Sequence, residues 1–152
     1  MTRELVNIEI SSPYLEGSMI EISQKPILPE LVIKKVKTDS SGCVVTYVGV
    51  IREYSQGKPV VSVEYEDARG TAENSLREIV SQVRQNCLPD NIAICHRIGK
   101  LKVGDINLVI AVASAHRQEG FAACQYAINR FKEIVPTQKK ETYQDGSTRV
   151  EG

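Results

Sequence analysis

Ile106-Asn107-Leu108-Val109-Ile110-Ala111-Val112-Ala113, running at once into Ser114-Ala115-His116-Arg117, decides how this chain folds. An apolar run of this length, half of it β-branched, predicts a buried strand. After it, Phe121, Cys124, Ile128, Phe131 and Val135 recur at steps of three and four, which predicts a helix with that stripe in the core. Pro136 ends the helix. Upstream, Ile92–Ile98 predicts a second strand, joined to the first through the turn Gly99-Lys100-Leu101-Lys102-Val103-Gly104-Asp105. Before it, a helix of about 16 residues opens with Thr71 as its cap and buries Leu76, Ile79, Val80, Val83 and Cys87, until Leu88-Pro89-Asp90-Asn91 stops it.

Further out, Cys43-Val44-Val45-Thr46-Tyr47-Val48-Gly49-Val50-Ile51 is too β-branched for a good helix and reads as a central strand. The polar loop Arg52–Lys58 follows. Val61, Val63 and Tyr65 then alternate with Ser62, Glu64 and Glu66, a strand with one solvated face. Pro29 opens a short helix through Val36. Residues 1–27 carry two alternating pieces, Val6–Ile10 and Met19–Ile22, and Asp145-Gly146 marks a late tight turn. Strands and helices in mixed order, without repeat or linker, predict one α+β domain over residues 1–152.

The composition narrows the function classes. Nineteen Lys and Arg balance nineteen Asp and Glu, which argues against a general nucleic-acid or membrane-surface binder. No apolar run is long enough for a transmembrane helix, and Met1–Ile10 lacks the apolar core of a signal peptide. Cys43, Cys87, Cys95 and Cys124 are widely spaced and contain no C-x-x-C, so reduced core thiols in a cytoplasmic protein are expected. With two histidines in the chain, a metal site is not expected. There is no G-x-G-x-x-G, Walker A or H-E-x-x-H motif.

The chemistry concentrates between Ser114 and Glu141. His116 and Arg117 sit at a helix start, where the positive end of the macrodipole disfavours cations by about 0.3–1 kcal/mol. That placement makes sense if an anion completes the site, because the free N–H groups of a helix start favour phosphate or carboxylate. Arg130, Lys132, Lys139 and Lys140 add local positive charge. Lys132 falls about 70° from the centre of the predicted apolar stripe, where a lysine can pack its stem and hold its amine at a pocket rim. His96-Arg97, after an apolar strand, reads as structural.

Five segments in order resemble the MoaE family, the large catalytic subunits of molybdopterin synthases. They are Ser41–Arg52, Val63-Glu64-Tyr65-Glu66, Ile92–Asp105, Ala113-Ser114-Ala115-His116-Arg117, and Phe131–Pro136 followed by Lys139-Lys140-Glu141. The resemblance implies an α/β-hammerhead-type fold with a mixed or antiparallel sheet, and a homodimer. It implies a small ubiquitin-like, MoaD-type sulfur carrier ending in Gly-Gly on each protomer, giving a heterotetramer. It also implies the reaction: two sulfurs pass from the carrier's thiocarboxylated C-terminus to cyclic pyranopterin monophosphate, forming the dithiolene of molybdopterin. No metal or cofactor is needed for that step.

By the same resemblance Lys132 and Lys139 are the catalytic lysines, and Val50, Ile51, Arg52, His116, Arg117, Lys132, Lys139, Lys140 and Glu141 contact substrate. Residues 137–152 form a C-terminal active-site segment and tail. Arg52, His116, Arg117 and Lys140 are expected to gather around the substrate phosphate, since guanidinium groups bind phosphate oxygens in pairs. A lysine desolvated among cations is suited to proton transfer, which favours Lys132 for that role. Lys139 then stabilises the thiocarboxylate tail or the developing carboxylate. The sequence departs from the family at Gln138, Ala68 and Thr71, where an aromatic, an aromatic and a Met are usual, and it has no Trp. The alternative reading is a non-catalytic module that keeps the fold and docks a ubiquitin-like carrier.

Overall fold

In the computed structural model, which describes residues 8–9 and 18–151, the chain runs β1 (Ile8–Glu9), β2 (Met19–Ser23), α1 (Pro29–Val36), β3 (Cys43–Val50), β4 (Tyr54–Ser55), β5 (Lys58–Glu66) and α2 (Ala72–Cys87). It continues through β6 (Asn91–Arg97), β7 (Gly99–Lys102), β8 (Ile106–Ser114), α3 (Arg117–Ile134), β9 (Gln138–Tyr143) and β10 (Thr148–Glu151). Of the expected strand Val6–Ile10, Ile8 and Glu9 form β1; Val6, Asn7 and Ile10 lie outside the described residues.

One sheet has the order β1-β2-β6-β8-β3, with β2 parallel to β6 and the other pairs antiparallel. The second, antiparallel throughout, has the order β10-β9-β5-β4, with β7 also paired to β5. The expected α+β class and mixed sheet are both present. Alternation along β6 and β8 divides the core. Ile92, Ile94, Ile110 and Val112 face α2 and α3, where Leu76, Ile79, Val80, Val83, Ala123, Cys124 and Ala127 meet them. Ala93, Cys95, Val109, Ala111 and Ala113 face α1, against Val32 and Val36. Each large aliphatic fully buried here is worth about 1.5–3 kcal/mol. A third cluster, Ile51, Val60, Val63, Leu101 and Tyr143, lies under the second sheet.

Several expectations need correction. β3 is not central: among the described residues it pairs with β8 alone and forms an edge. Apolar patterning reports burial of faces, which the helices supply, and is silent about how many neighbours a strand has. Val61 is half exposed while Ser62 is buried, because a bulge between Val60 and Ser62 breaks the alternation. The turn expected at Gly99–Asp105 begins as strand β7. Gly99, at φ +89°, swings the chain from the first sheet into the second and drops Leu101 into the third cluster. Thr71 makes no side-chain cap. Asp67 does that job by accepting the Ala72 N–H at 3.3 Å. In α3 the buried stripe is Gly120, Ala123, Cys124 and Ala127, and Phe121 is 62% exposed. Small residues let the helix lie close on β3 and β8, so the large side chains fall to its flanks.

Gly42 fixes how β8 enters α3. Its N–H donates to the Ser114 carbonyl at 2.9 Å, and a Cβ there would stand 2.2 Å from the Ala115 carbonyl oxygen. Gly42→Ala should therefore cost about 1–3 kcal/mol, read as a lower midpoint in urea unfolding. A midpoint equal to the parent's would show that this contact gives way freely.

Candidate active site

β9 carries the centre of the site. Alternate side chains of a strand point to opposite faces, so Lys139 and Glu141 share one face and Lys140 takes the other. Lys139 and Glu141 line a cleft with Val50, Ile51, Arg52, Ser55 and Tyr65. Arg52 reaches it because Ile51 is pinned: its N–H donates to the Asp105 carbonyl and its carbonyl accepts the Gly104 N–H, each at 2.9 Å. Ile51 thus anchors in the third cluster and leaves Arg52 exposed at the rim.

Glu141 is 4% exposed, yet it is ionised. Burial opposes its charge, but hydrogen bonds from Tyr143, Ser55 and Lys139, with the Lys139 charge, outweigh burial and hold the carboxyl down at about 2. The Tyr143 hydroxyl donates to Oε2 at 2.6 Å and the Lys139 ammonium lies 3.1 Å from Oε1. The pair sets the Lys139 ammonium against the cleft. Because the folded carboxyl titrates below an unfolded one, this pair contributes stability above about pH 4.5 that is lost as pH falls toward about 2. Glu141→Gln should flatten the fall of melting temperature across that window. Asp145, held at about 2 mainly by hydrogen bonds from Ser147, leaves a residual slope. An unchanged profile would mean that the pair adds no stability.

The other expected site residues are not gathered in the cleft. Lys140 points to the opposite face, where Glu64 stands across from it on β5. His116 and Arg117 are exposed at the start of α3, beside the Cys43 end of β3, whereas Arg52 follows the Val50 end. Eight residues of strand separate these ends by about 25 Å. Lys132 is exposed, about 120° around the helix from the observed stripe. Its helix end does approach the cleft: Phe131 packs on His96, and His96 on Tyr65, a cleft residue. Sequence reasoning missed Ser55, Tyr65 and Tyr143 as site residues. For Tyr143, two positions from Glu141 on one strand, the signal was strand periodicity.

The cleft is open to solvent and offers about 50 Å³ of free volume. Lys139 and Glu141 form an ion pair in it, and Arg52 stands exposed at its rim.

Fold and cleft together define a small α+β protein with a lysine–glutamate ion pair and an exposed arginine at one cleft. The chain belongs to the MoaE family: the family model described as MoaE protein matches residues 22–134. A relative from Bacillus subtilis, named molybdopterin synthase catalytic subunit, is 41% identical over 126 residues, covering 83% of this chain and 80% of that protein. One of the same name from a Nostoc species is 38% identical over 137 residues, covering 90% and 82%. Among solved structures, molybdopterin synthase from Staphylococcus aureus superposes with a TM-score of 0.81 at 36% identity, covering 86% of this chain and 95% of that one.

Proposed function

We propose that this chain is the catalytic subunit of a molybdopterin synthase, a sulfur-transferring enzyme of molybdenum cofactor biosynthesis. It takes sulfur from the thiocarboxylated C-terminus of a small MoaD-type carrier and places two sulfurs on cyclic pyranopterin monophosphate. The observation that carries this reading is the Lys139–Glu141 pair beside Arg52 in a half-site of a MoaE-family chain. Each transfer replaces a C–O bond of the pterin side chain by a C–S bond, the displaced oxygen leaving as water or staying on the opened phosphate. It breaks the C–S bond at the carrier's terminal glycine, whose carbonyl carbon takes up the oxygen of water. Lys139, paired with Glu141, stabilises the incoming thiocarboxylate and the departing carboxylate. Arg52 binds phosphate. Lys132, at the cleft end of α3, moves the proton.

The missing half comes from a second copy of the chain. β3 is an edge strand of eight residues without a charge, with Val48 and Val50 exposed, an edge that calls for a partner. Two copies pairing antiparallel along β3 about a two-fold axis set the Cys43 end of one beside the Val50 end of the other. The partner's His116 and Arg117 then reach Arg52, Lys132 and Lys139, and the anion expected at the helix start bridges both protomers. Two carriers complete a heterotetramer. The four cysteines are free, which fits the cytoplasm. Among the described residues no helix is long and apolar enough to cross a membrane.

The test is to incubate the purified chain with a thiocarboxylated carrier and the cyclic pyranopterin. Dithiolene should form at two thiocarboxylates consumed per pterin. Carrier left fully thiocarboxylated would refute the reading.

A further inference from the structure

We infer that His96 is a positioning residue for Lys139, acting through Thr137 on one side and Tyr65 on the other. This rests on the proposed reaction. Residues 135–137 connect α3, which carries Lys132, to β9, which carries Lys139. The pairing of β9 with β5 begins at Gln138, so the connection itself lies outside the ladder. His96, on β6 of the other sheet, grips it there: Nε2 lies 3.2 Å from the Thr137 hydroxyl.

The donor directions follow from the partners. Nδ1 lies 2.9 Å from the Asn107 carbonyl, which can only accept, so Nδ1 carries the hydrogen. His96 is 1% exposed, and burial holds its imidazole below the ordinary range for protonation despite the Asn107 carbonyl. In the neutral ring Nε2 is therefore an acceptor, and Thr137 donates to it. The ring is set edge-on against Tyr65 at 5.2 Å and Phe131 at 5.1 Å.

From Asn107 the chain of contacts continues to the cleft. The Asn107 side-chain amide donates to the Tyr65 hydroxyl at 3.1 Å, and Tyr65 stands directly across from Lys139 in the β5–β9 ladder. Lys139 is thus bracketed by Thr137 two residues before it and Tyr65 opposite. One buried ring sets both. A core position flanked by Ile94 and Leu108 could hold an apolar side chain without any such partners. The polar ring makes sense as a clamp between sheets that fixes where the ammonium sits.

Thr137→Val removes the hydroxyl at nearly constant volume, and Thr137→Ser restores it. With carrier and pterin, the Val variant should lose about ten- to a hundredfold in kcat, the effect of a misplaced group, with KM for the pterin within about twofold and melting temperature within a few degrees. The Ser variant should return kcat to within about threefold of the parent. Unchanged kcat in the Val variant, or equal losses in both, would overturn the inference. If the parent forms no dithiolene, the reaction reading fails, and the clamp is judged by hydrogen exchange: β9 amides should exchange at least about tenfold faster in the Val variant. Equal protection in parent and variant would overturn it.

Discussion

Lys139→Ala should slow dithiolene formation by about 10²–10³-fold, the loss expected when one preorganised charge is removed from a developing anion. The variant also strands Glu141, a buried carboxylate that keeps Tyr143 and Ser55 but loses its cation. Leaving a buried charge unpaired is itself destabilising. The double variant Lys139→Ala/Glu141→Gln separates the effects, because it removes both charges. It should recover much of the melting temperature and none of the rate. Lys139→Arg keeps the charge and should retain rate to within about tenfold. Recovery of rate in the double variant would mean that Lys139 serves only to neutralise Glu141.

The second large effect is expected at Lys132, and it should be kinetic alone. Its side chain is exposed on α3, so Lys132→Ala should change stability by no more than about 0.5 kcal/mol in chemical denaturation. Loss of a proton-transfer group should lower the rate by about 10²–10⁴-fold. Lys132→Arg discriminates further: a guanidinium keeps the charge and does not release a proton near neutral pH. The account predicts that the Arg variant is nearly as slow as the Ala variant. A nearly parental rate would make Lys132 an electrostatic anchor and pass proton transfer to another group.

The elements were legible in the sequence wherever one face of a strand or helix is buried by contiguous residues. Leu76, Ile79, Val80 and Val83 gave α2 with its boundaries, and Asp145-Gly146 gave the hairpin between β9 and β10. What periodicity could not show was connectivity in space. The same apolar run, 43–51, suits a central strand or an edge, and β7 hides its single buried residue, Leu101, between two lysines. The bulge at Val61 inverted an alternation that looked regular. In α3 the core face is Cys124, which the sequence marked, together with Gly120, Ala123 and Ala127, whose weak hydrophobic signal let Phe121 stand for them. That misreading also placed Lys132 nearer the core than it lies.

The site was legible as a set of residue types and only half legible as a place. Arg52, Lys139 and Glu141 do converge, although 89 positions separate the first from the last (141 − 52). Lys140, expected through the matched segment Lys139-Lys140-Glu141, stands on the other face of β9, because strand geometry sends neighbours to opposite faces. His116 and Arg117 were expected at the same phosphate as Arg52, and the length of β3 forbids that within one protomer. The proposed antiparallel pairing of two β3 edges reconciles the expectation with the distance.

Mixing two inactive variants tests that claim most directly. Arg52→Ala and Arg117→Ala homodimers should each turn over at least about a hundredfold slower than the parent, since each lacks a phosphate ligand in both sites. Unfolded together and refolded at equal amounts, half of the dimers should pair one variant with the other. Each such heterodimer carries one doubly altered site and one intact site, so the mixture should recover about one quarter of parental activity. A mixture no more active than the two variants measured apart would mean that Arg52 and Arg117 do not meet in one site across the dimer, and would contradict the account.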